Sequence, residues 1–88
     1  MKRELYLYSD KNRMKADFYD LASKDPVNAA LVDFTYKKKD TKCYFRWQGD
    51  YCSIKGFDWD LVIARGNIKQ EIIKMIIPNI KKGVKKNE

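Results

Sequence analysis

The stretch "CYFRWQGDYCSIK", residues 43–55, holds both cysteines of the chain, one of its two tryptophans and two of its tyrosines. Apolar and polar residues alternate on both sides of Gly49-Asp50, a dipeptide that suits a two-residue hairpin turn. With this turn, Trp47 lies opposite Cys52 on the neighbouring strand. The stretch therefore predicts an antiparallel hairpin with one apolar face.

The same alternation continues on both sides of this hairpin. A turn at residues 39–40 pairs Tyr36 with Cys43, and a turn at residues 55–56 adds one more strand. The three turns place the same set of residues on one face: Val32, Phe34, Tyr36, Cys43, Phe45, Trp47, Cys52, Ile54, Phe57, Trp59 and Leu61. Because a one-residue slip at any turn would split this set, we predict a four-stranded antiparallel meander.

Strand and helix patterns flank the meander. Residues 3–9, "RELYLYS", alternate with apolar residues on both faces, which indicates a strand buried on both sides. Ser9 or Asp10 is expected to cap a helix that ends near Lys24 and carries an apolar stripe of Met14, Phe18, Leu21 and Ala22.

A second helix is expected near the C-terminus. Asn67 and Gln70 have capping-box spacing, and Pro78 should kink or end the helix. The order of elements predicts an α+β fold: a three- to four-stranded antiparallel meander plus an N-terminal strand, with two helices packed on one face. Residues 1–80 are assigned to a single domain, and residues 81–88 to a basic C-terminal tail.

The cysteines and the composition bear on catalysis. In the predicted register Cys43 and Cys52 are too far apart for a good disulfide, so both are interpreted as buried small hydrophobes. The chain has no histidine, which removes the commonest general base and metal ligand. We predict a protein that is not an enzyme, with no catalytic residue, metal or cofactor. A small metal-dependent nuclease using Asp58 and Asp60 is a minor alternative.

The charge of the chain is strongly positive. Nineteen Lys and Arg against twelve Asp and Glu give +7, and residues 65–88 carry seven of the cations against two glutamates, a net of +5. Such an excess suits a polyanionic partner, although a solubilising end without a partner is the alternative. Three basic clusters, residues 11–15, 37–42 and 81–86, are expected to form one contiguous surface for phosphate contacts.

The polar face of the meander offers a second possible nucleic-acid surface. Aromatic and basic residues interleave there, as on platforms where single-stranded bases stack on rings, and Asp33 is expected to pair with Arg46. An ordinary solvated sheet face is the alternative. The candidate nucleic-acid-binding residues of both surfaces are Lys11, Arg13, Lys15, Lys37, Lys38, Lys39, Lys42, Tyr44, Arg46, Tyr51, Lys55, Lys81, Lys82, Lys85 and Lys86.

The partner expected first is RNA. The runner-up is a protein inhibitor or adaptor that binds an acidic protein without nucleic acid, and a homodimer also stays open. No apolar run is long enough to span a membrane, and residues 1–5 lack an apolar signal region, so a cytoplasmic protein is expected, in the host cell if the source is viral.

Two resemblances bear on this expectation. The helix–strand–strand–strand–helix order resembles the double-stranded-RNA-binding domain, but "NIKQEII" stands where that family has its basic motif. The start "MKRELYLYSDKNRMK" and the end "IIKMIIPNIKKGVKKNE" resemble the small basic early proteins of T-even-type bacteriophages. Among these, the chain is similar in size and basicity to the toxin-inhibitory factors. That resemblance implies RNA binding and inhibition of the ribonuclease toxin of a toxin–antitoxin system through a protein–RNA assembly.

Overall fold

The computed structural model describes residues 1–80 and the backbone of residues 84–86. Three short 3₁₀ turns, at Pro26–Asn28, Tyr51–Ser53 and Ile77–Asn79, accompany the regular elements. In chain order the strands and helices are β1 (Lys2–Tyr8), α1 (Lys11–Lys24), β2 (Ala29–Ala30), β3 (Thr35–Lys38), β4 (Thr41–Trp47), β5 (Leu61–Arg65), α2 (Gln70–Ile76) and β6 (Val84–Lys86). The predicted α+β class is confirmed.

The six strands form one mixed sheet in the order β2-β3-β4-β1-β5-β6. Strand β1 lies between β4 and β5 and is parallel to both, and β6 is parallel to β5. Only the β2–β3 and β3–β4 pairs are antiparallel. The predicted antiparallel meander is therefore wrong beyond β4, because the chain crosses over β1 instead of turning back.

The two helices cover opposite faces of the sheet, which corrects their predicted placement on one face. Side chains alternate along β1, so Tyr8 packs with Phe18 of α1 on one side, while Leu7 packs with Ile72 of α2 on the other. The segment between β4 and β5 joins the α2 side through Ile54 and other apolar residues. A strand with apolar residues on both faces needs two such layers.

Helix α1 follows the sequence prediction closely. The Asp10 side chain accepts a hydrogen bond of 3.0 Å from the Arg13 amide, which confirms Asp10 as the cap. The helix ends at Lys24, and its buried side chains are Met14, Phe18 and Ala22.

Helix α2 begins later than predicted. It starts at Gln70, and the Asn67–Gln70 capping box is absent from the described hydrogen bonds. Instead the Gln48 side-chain oxygen, from the segment after β4, accepts a hydrogen bond of 2.8 Å from the Lys69 amide. The helix gives way to the 3₁₀ turn that contains Pro78, as predicted. A tertiary contact therefore takes the place of the local cap.

The hairpin registers were predicted correctly on one side only. Tyr36 pairs with Cys43 across β3 and β4, as expected. The stretch after Gly49-Asp50 is a 3₁₀ turn and not a strand, and it leaves Cys52 exposed. Cys52 is therefore not the core residue that was predicted, whereas Cys43 is buried.

The predicted tail is in part a strand. Strand β6 pairs with β5, with Val84 in register with Val62, so its backbone belongs to the sheet. Lys85 and Lys86 lie in this strand, whereas Lys81 and Lys82 lie outside the described residues. The boundary assumed at residue 80 therefore does not mark the end of the sheet. Within the described residues, neither helix is long and apolar enough to cross a membrane.

The two tryptophans allow a test of the core. Trp59 is fully buried, whereas Trp47 is only partly buried. Trp59→Ala should lower the free energy of unfolding by about 3–5 kcal/mol because it empties a large core site. Trp47→Ala should cost clearly less, as measured by urea unfolding. Equal losses in the free energy of unfolding would contradict this packing. If Trp59→Ala fails to fold, the same comparison is made between Trp59→Phe and Trp47→Phe.

The two thiols should differ in reactivity. Burial raises the pKa of the Cys43 thiol to about 11, so it stays protonated near neutral pH and is shielded from reagents. Cys52 is exposed and free. Ellman's reagent at pH 8 should label one thiol quickly and the second only after unfolding. Cys52→Ser should remove the fast phase and Cys43→Ser should keep it; two fast thiols in the folded protein would argue against the position of Cys43.

Candidate nucleic-acid interface

The basic clusters lie at two ends of the sheet. Lys11 and Lys15 stand on the first turns of α1, beside the carboxyl ends of β1 and β4. The cluster at residues 37–42 surrounds the β3–β4 turn, beside the amino end of β1. A helix of fourteen residues separates these ends by roughly 20 Å. The predicted single contiguous surface is therefore wrong for these two clusters.

A row of three cations crosses the sheet at the turn end. Lys37 lies directly opposite Lys42 in the antiparallel pair, and Lys42 is in register with Arg3 on β1. Because strands are about 4.8 Å apart, the three side chains start within about 10 Å of one another on one face. We call Arg3, Lys42 and Lys37 the cationic rung.

Strands β3, β4 and β1 place no carboxylate between the three cations of the rung. Like charges directly opposite each other on a sheet destabilise it. An ion pair between described residues joins Lys24 and Asp20 of α1, at 3.2 Å, away from the rung. Beside β1, the Asp60 carboxylate accepts a hydrogen bond of 2.8 Å from the backbone amide of Arg3, so one carboxylate lies at the Arg3 end of the rung. Exposed Lys2, Lys38 and Lys39 add further positive charge at this end.

Tyr44 does not form an open stacking platform. Its ring is buried, lies edge-on to Trp59 at 5.2 Å between centroids, and carries two cations. The Lys42 ammonium is 5.2 Å and the Arg46 guanidinium 5.3 Å from the ring centroid. Tyr51 is exposed, but it belongs to the 3₁₀ turn and not to the sheet. The predicted sheet-face platform is therefore wrong, because the Tyr44 ring is buried and Tyr51 does not lie on a strand.

Arg46 holds the backbone before β3. Its Nη1 donates hydrogen bonds to the carbonyls of Asp33 and Phe45, both at 2.8 Å, and to that of Phe34 at 3.3 Å. The Asp33 carboxylate instead accepts from the Thr35 hydroxyl at 2.7 Å. The predicted Asp33–Arg46 contact therefore exists, but as a backbone hydrogen bond and not as an ion pair.

Three features indicate that forming this contact costs free energy. Phe34 has a φ of +54°, which a bulky side chain rarely adopts. Burial lowers the pKa of Arg46, while the nearby carboxylates of Asp33 and Asp50 act in the opposite direction. The Arg46 Nε is buried with no hydrogen-bond partner. Arg46 is thus a structural clamp and not a free phosphate ligand.

A groove of about 480 Å³ lies at the opposite end from the cationic rung. It runs between the start of α1, residues 32–34 and the turn at residues 49–53. Its aromatic and apolar lining comes from Met14, Phe34, Phe45 and Trp47, and its cationic lining from Lys11, Lys15 and Arg46.

Trp47 is fixed in the wall of this groove. Its indole N–H donates a hydrogen bond of 3.1 Å to the Ser9 carbonyl. A Cβ on Gly49 would come within 2.4 Å of the indole ring, so the backbone there packs directly against it. The Lys11 ammonium lies over the ring, 5.7 Å from its centroid.

Two further candidate cations, Arg13 and Lys55, belong neither to the rung nor to the groove lining. Arg13 does not line the groove, whereas Lys11 and Lys15 line it from positions one helical turn apart on α1. Lys55 is exposed in the segment between β4 and β5. The sequence did not predict Arg3 or the groove, because both depend on β1 lying parallel beside β4. The doubly apolar pattern of β1 was the signal that could have indicated this central position.

Within residues 1–80, no group of three or more Cys, Asp and Glu side chains is placed to hold a metal ion. Comparison with protein-family models, curated proteins and solved structures finds no match. The cationic rung and the groove are therefore the features of the described residues that bear on function.

Arg46 and Lys42 provide a matched pair of variants. Both hold a cation over Tyr44, but only Arg46 has described hydrogen bonds to backbone carbonyls. Arg46→Met should lower the free energy of unfolding by about 1.5–3 kcal/mol, the range for hydrogen bonds to a charged group. Lys42→Met should cost under about 1 kcal/mol, since it loses one cation–π contact and relieves repulsion from Lys37. Equal costs in urea unfolding would refute the clamp.

Proposed function

We propose that this protein is a non-enzymatic RNA-binding protein whose cationic rung contacts the phosphate backbone. The observation that carries the proposal is the placement of Lys37, Lys42 and Arg3 side by side on three strands with no carboxylate between them. Phosphates placed among these side chains would replace their mutual repulsion by attraction. Backbone contacts of this kind require charge and reach and no base-specific motif.

The shape of this end of the sheet favours an extended polyanion. The rung runs across the strands, and the exposed lysines of the β3–β4 turn continue it at the sheet edge. A strand of RNA lying across β3, β4 and β1 would contact all of them. The net charge of +7 would also speed its approach.

The biological role is proposed from the resemblance to phage toxin-inhibitory factors. RNA bound in this way would form a protein–RNA assembly that blocks a ribonuclease toxin in the host cytoplasm. No catalytic residue, metal or cofactor is assigned. Asp60, one of the two carboxylates considered for a nuclease, is already hydrogen-bonded to the Arg3 amide, and no proposal is made for it.

A second candidate is a protein–protein inhibitor, and a specific surface favours it. Val27, Leu31 and Val32 are 89%, 59% and 93% exposed beside the edge strand β2. Exposed apolar side chains next to an unpaired strand edge mark a protein-contact surface. A protein partner would therefore engage the β2 edge and leave the cationic rung free.

Charge reversal at the rung tests the leading proposal. Lys37→Glu/Lys42→Glu keeps two like charges opposite each other on β3 and β4 but makes both negative, and it places a carboxylate beside Arg3. The control, Lys69→Glu/Lys74→Glu, changes two exposed lysines near α2 and alters the net charge equally. Binding of a single-stranded RNA should weaken strongly in the rung variant. Its plot of log affinity against log salt should become less steep by about 1.4, because two phosphate contacts are lost.

The control variant should keep most of its affinity and its salt slope, with circular dichroism confirming that both variants fold. Equal losses would mean that only total charge matters and would remove the rung from the proposal. A parent protein that binds no RNA at low salt and carries none on purification would favour the protein–protein candidate. Magnesium-dependent RNA cleavage by the pure protein would overturn the non-enzymatic assignment.

A further inference from the structure

We propose that the groove at the start of α1 is a binding site for a single unpaired nucleotide, whose base packs against Trp47 while its phosphate lies between Lys11 and Lys15. The proposal rests on the RNA-binding function only in naming RNA as the source of that nucleotide. The groove is at the end of the sheet opposite the cationic rung, so it is a separate site.

The size and position of the groove suit a small ligand. Its volume of about 480 Å³ falls in the range of ligand pockets in proteins. It lies outside the carboxyl ends of the parallel strands β1 and β4, the end at which sheets with parallel strands bind their ligands. The crevice between β1 and β5 at the same end is closed, because Gln48 donates to the carbonyls of Ser9 and Asn67 there. The groove is therefore the open position at this end.

The charges in the groove are arranged for a ligand with an anionic end and a donor-bearing end. Arg46 is compensated by the nearby carboxylates of Asp33 and Asp50. Lys11 and Lys15 have no described ion pair, and they lie one helical turn apart on the same side of α1. A phosphate fits between these two lysines, while the carboxylates of Asp33 and Asp50, which also line the groove, can accept hydrogen bonds from the amino or imino groups of a base.

The aromatic wall provides the surface for the base. Trp47 is held in place by its hydrogen bond to Ser9 and by the backbone of Gly49. The flexible Lys11 side chain lies over the ring, and it can move to the phosphate when a base takes its place. Stacking of a base on an aromatic ring does not depend strongly on base identity. We therefore expect the groove to accept any unpaired base.

The wall opposite Trp47, formed by residues 32–34, is held in place by contacts with Arg46 and Phe18. Phe34 keeps its left-handed backbone because Arg46 holds the adjacent carbonyls and because its ring packs edge-on against Phe18, 5.2 Å away. A preformed wall lowers the entropy lost when a ligand binds. These contacts hold the 32–34 segment on the side of the groove that faces Trp47.

Tryptophan fluorescence gives a direct test. Trp59 is fully buried, so adenosine monophosphate should change the emission of Trp47 alone. We expect a saturable change in the parent protein and none in Trp47→Phe. Lys11→Ala/Lys15→Ala should weaken binding of adenosine monophosphate roughly tenfold, which corresponds to about 1.4 kcal/mol. The same variant should bind adenosine, which has no phosphate, as weakly as the parent does.

The controls separate this inference from the proposed RNA contact. Lys37→Glu/Lys42→Glu should bind adenosine monophosphate like the parent, whatever its affinity for RNA. A parent protein that shows no saturable response to the nucleotide overturns the groove assignment, even if RNA binds at the rung. A response that persists unchanged in Trp47→Phe or in the Lys11/Lys15 variant also overturns it. Nucleotide binding without any RNA binding would support the groove and end the rung proposal.

Discussion

The burial of β1 on both faces is the constraint on which the rest of the structure depends. Its leucines face α2 and its tyrosines face α1, so the strand needs a cover on each side and a neighbour along each edge. Only a central position in a layered sheet meets these needs. The chain must then cross over β1 to place β4 and β5 beside it, and both crossings follow from this one seven-residue segment.

This topology also determines where the positive charge lies. In the parallel strands β4, β1 and β5, the amino ends lie at one end of the sheet and the carboxyl ends at the other. The lysines of the β3–β4 turn therefore gather beside the start of β1, whereas those of α1 stand beside the ends of β1 and β4. Residues that look like one basic population in the sequence are thus divided into two sites with different chemistry: one is a row of cations across three strands, and the other joins cations to an aromatic wall.

Local signals predicted the elements better than their arrangement. The Asp10 cap, the end of α1 before Pro26 and the Tyr36–Cys43 register each depend on a few neighbouring residues, and all three are confirmed. Alternation alone does not distinguish a parallel from an antiparallel partner, so the path after β4 was missed. The predicted hairpin at Gly49-Asp50 is absent, because Trp47 packs against Gly49 and Ile54 lies in the core.

The candidate site was predictable in its residue types and not in its geometry. Most of the lysines were identified from charge alone, but their grouping depends on contacts between distant strands. The partnership of Arg3 with Lys42 spans thirty-nine positions and requires the parallel pairing of β1 and β4. Alternation with Cys43 and Phe45 predicts Tyr44 on the polar face of the sheet, whereas in the structure the segment that contains Trp59 covers its ring.

The shortness of β2 has a consequence for how the protein behaves at high concentration. An edge strand is where sheets of separate molecules join into larger aggregates, and the uncharged segment beside this one, residues 26–32, is rich in apolar side chains. The ladder there is only two residues long, it follows a proline, and acidic residues at positions 25 and 33 bound the segment. The edge of β2 therefore offers too few unpaired N–H and C=O groups for another sheet to pair with it. The apolar surface beside β2 stays exposed, but the strand does not act as a template for fibrils.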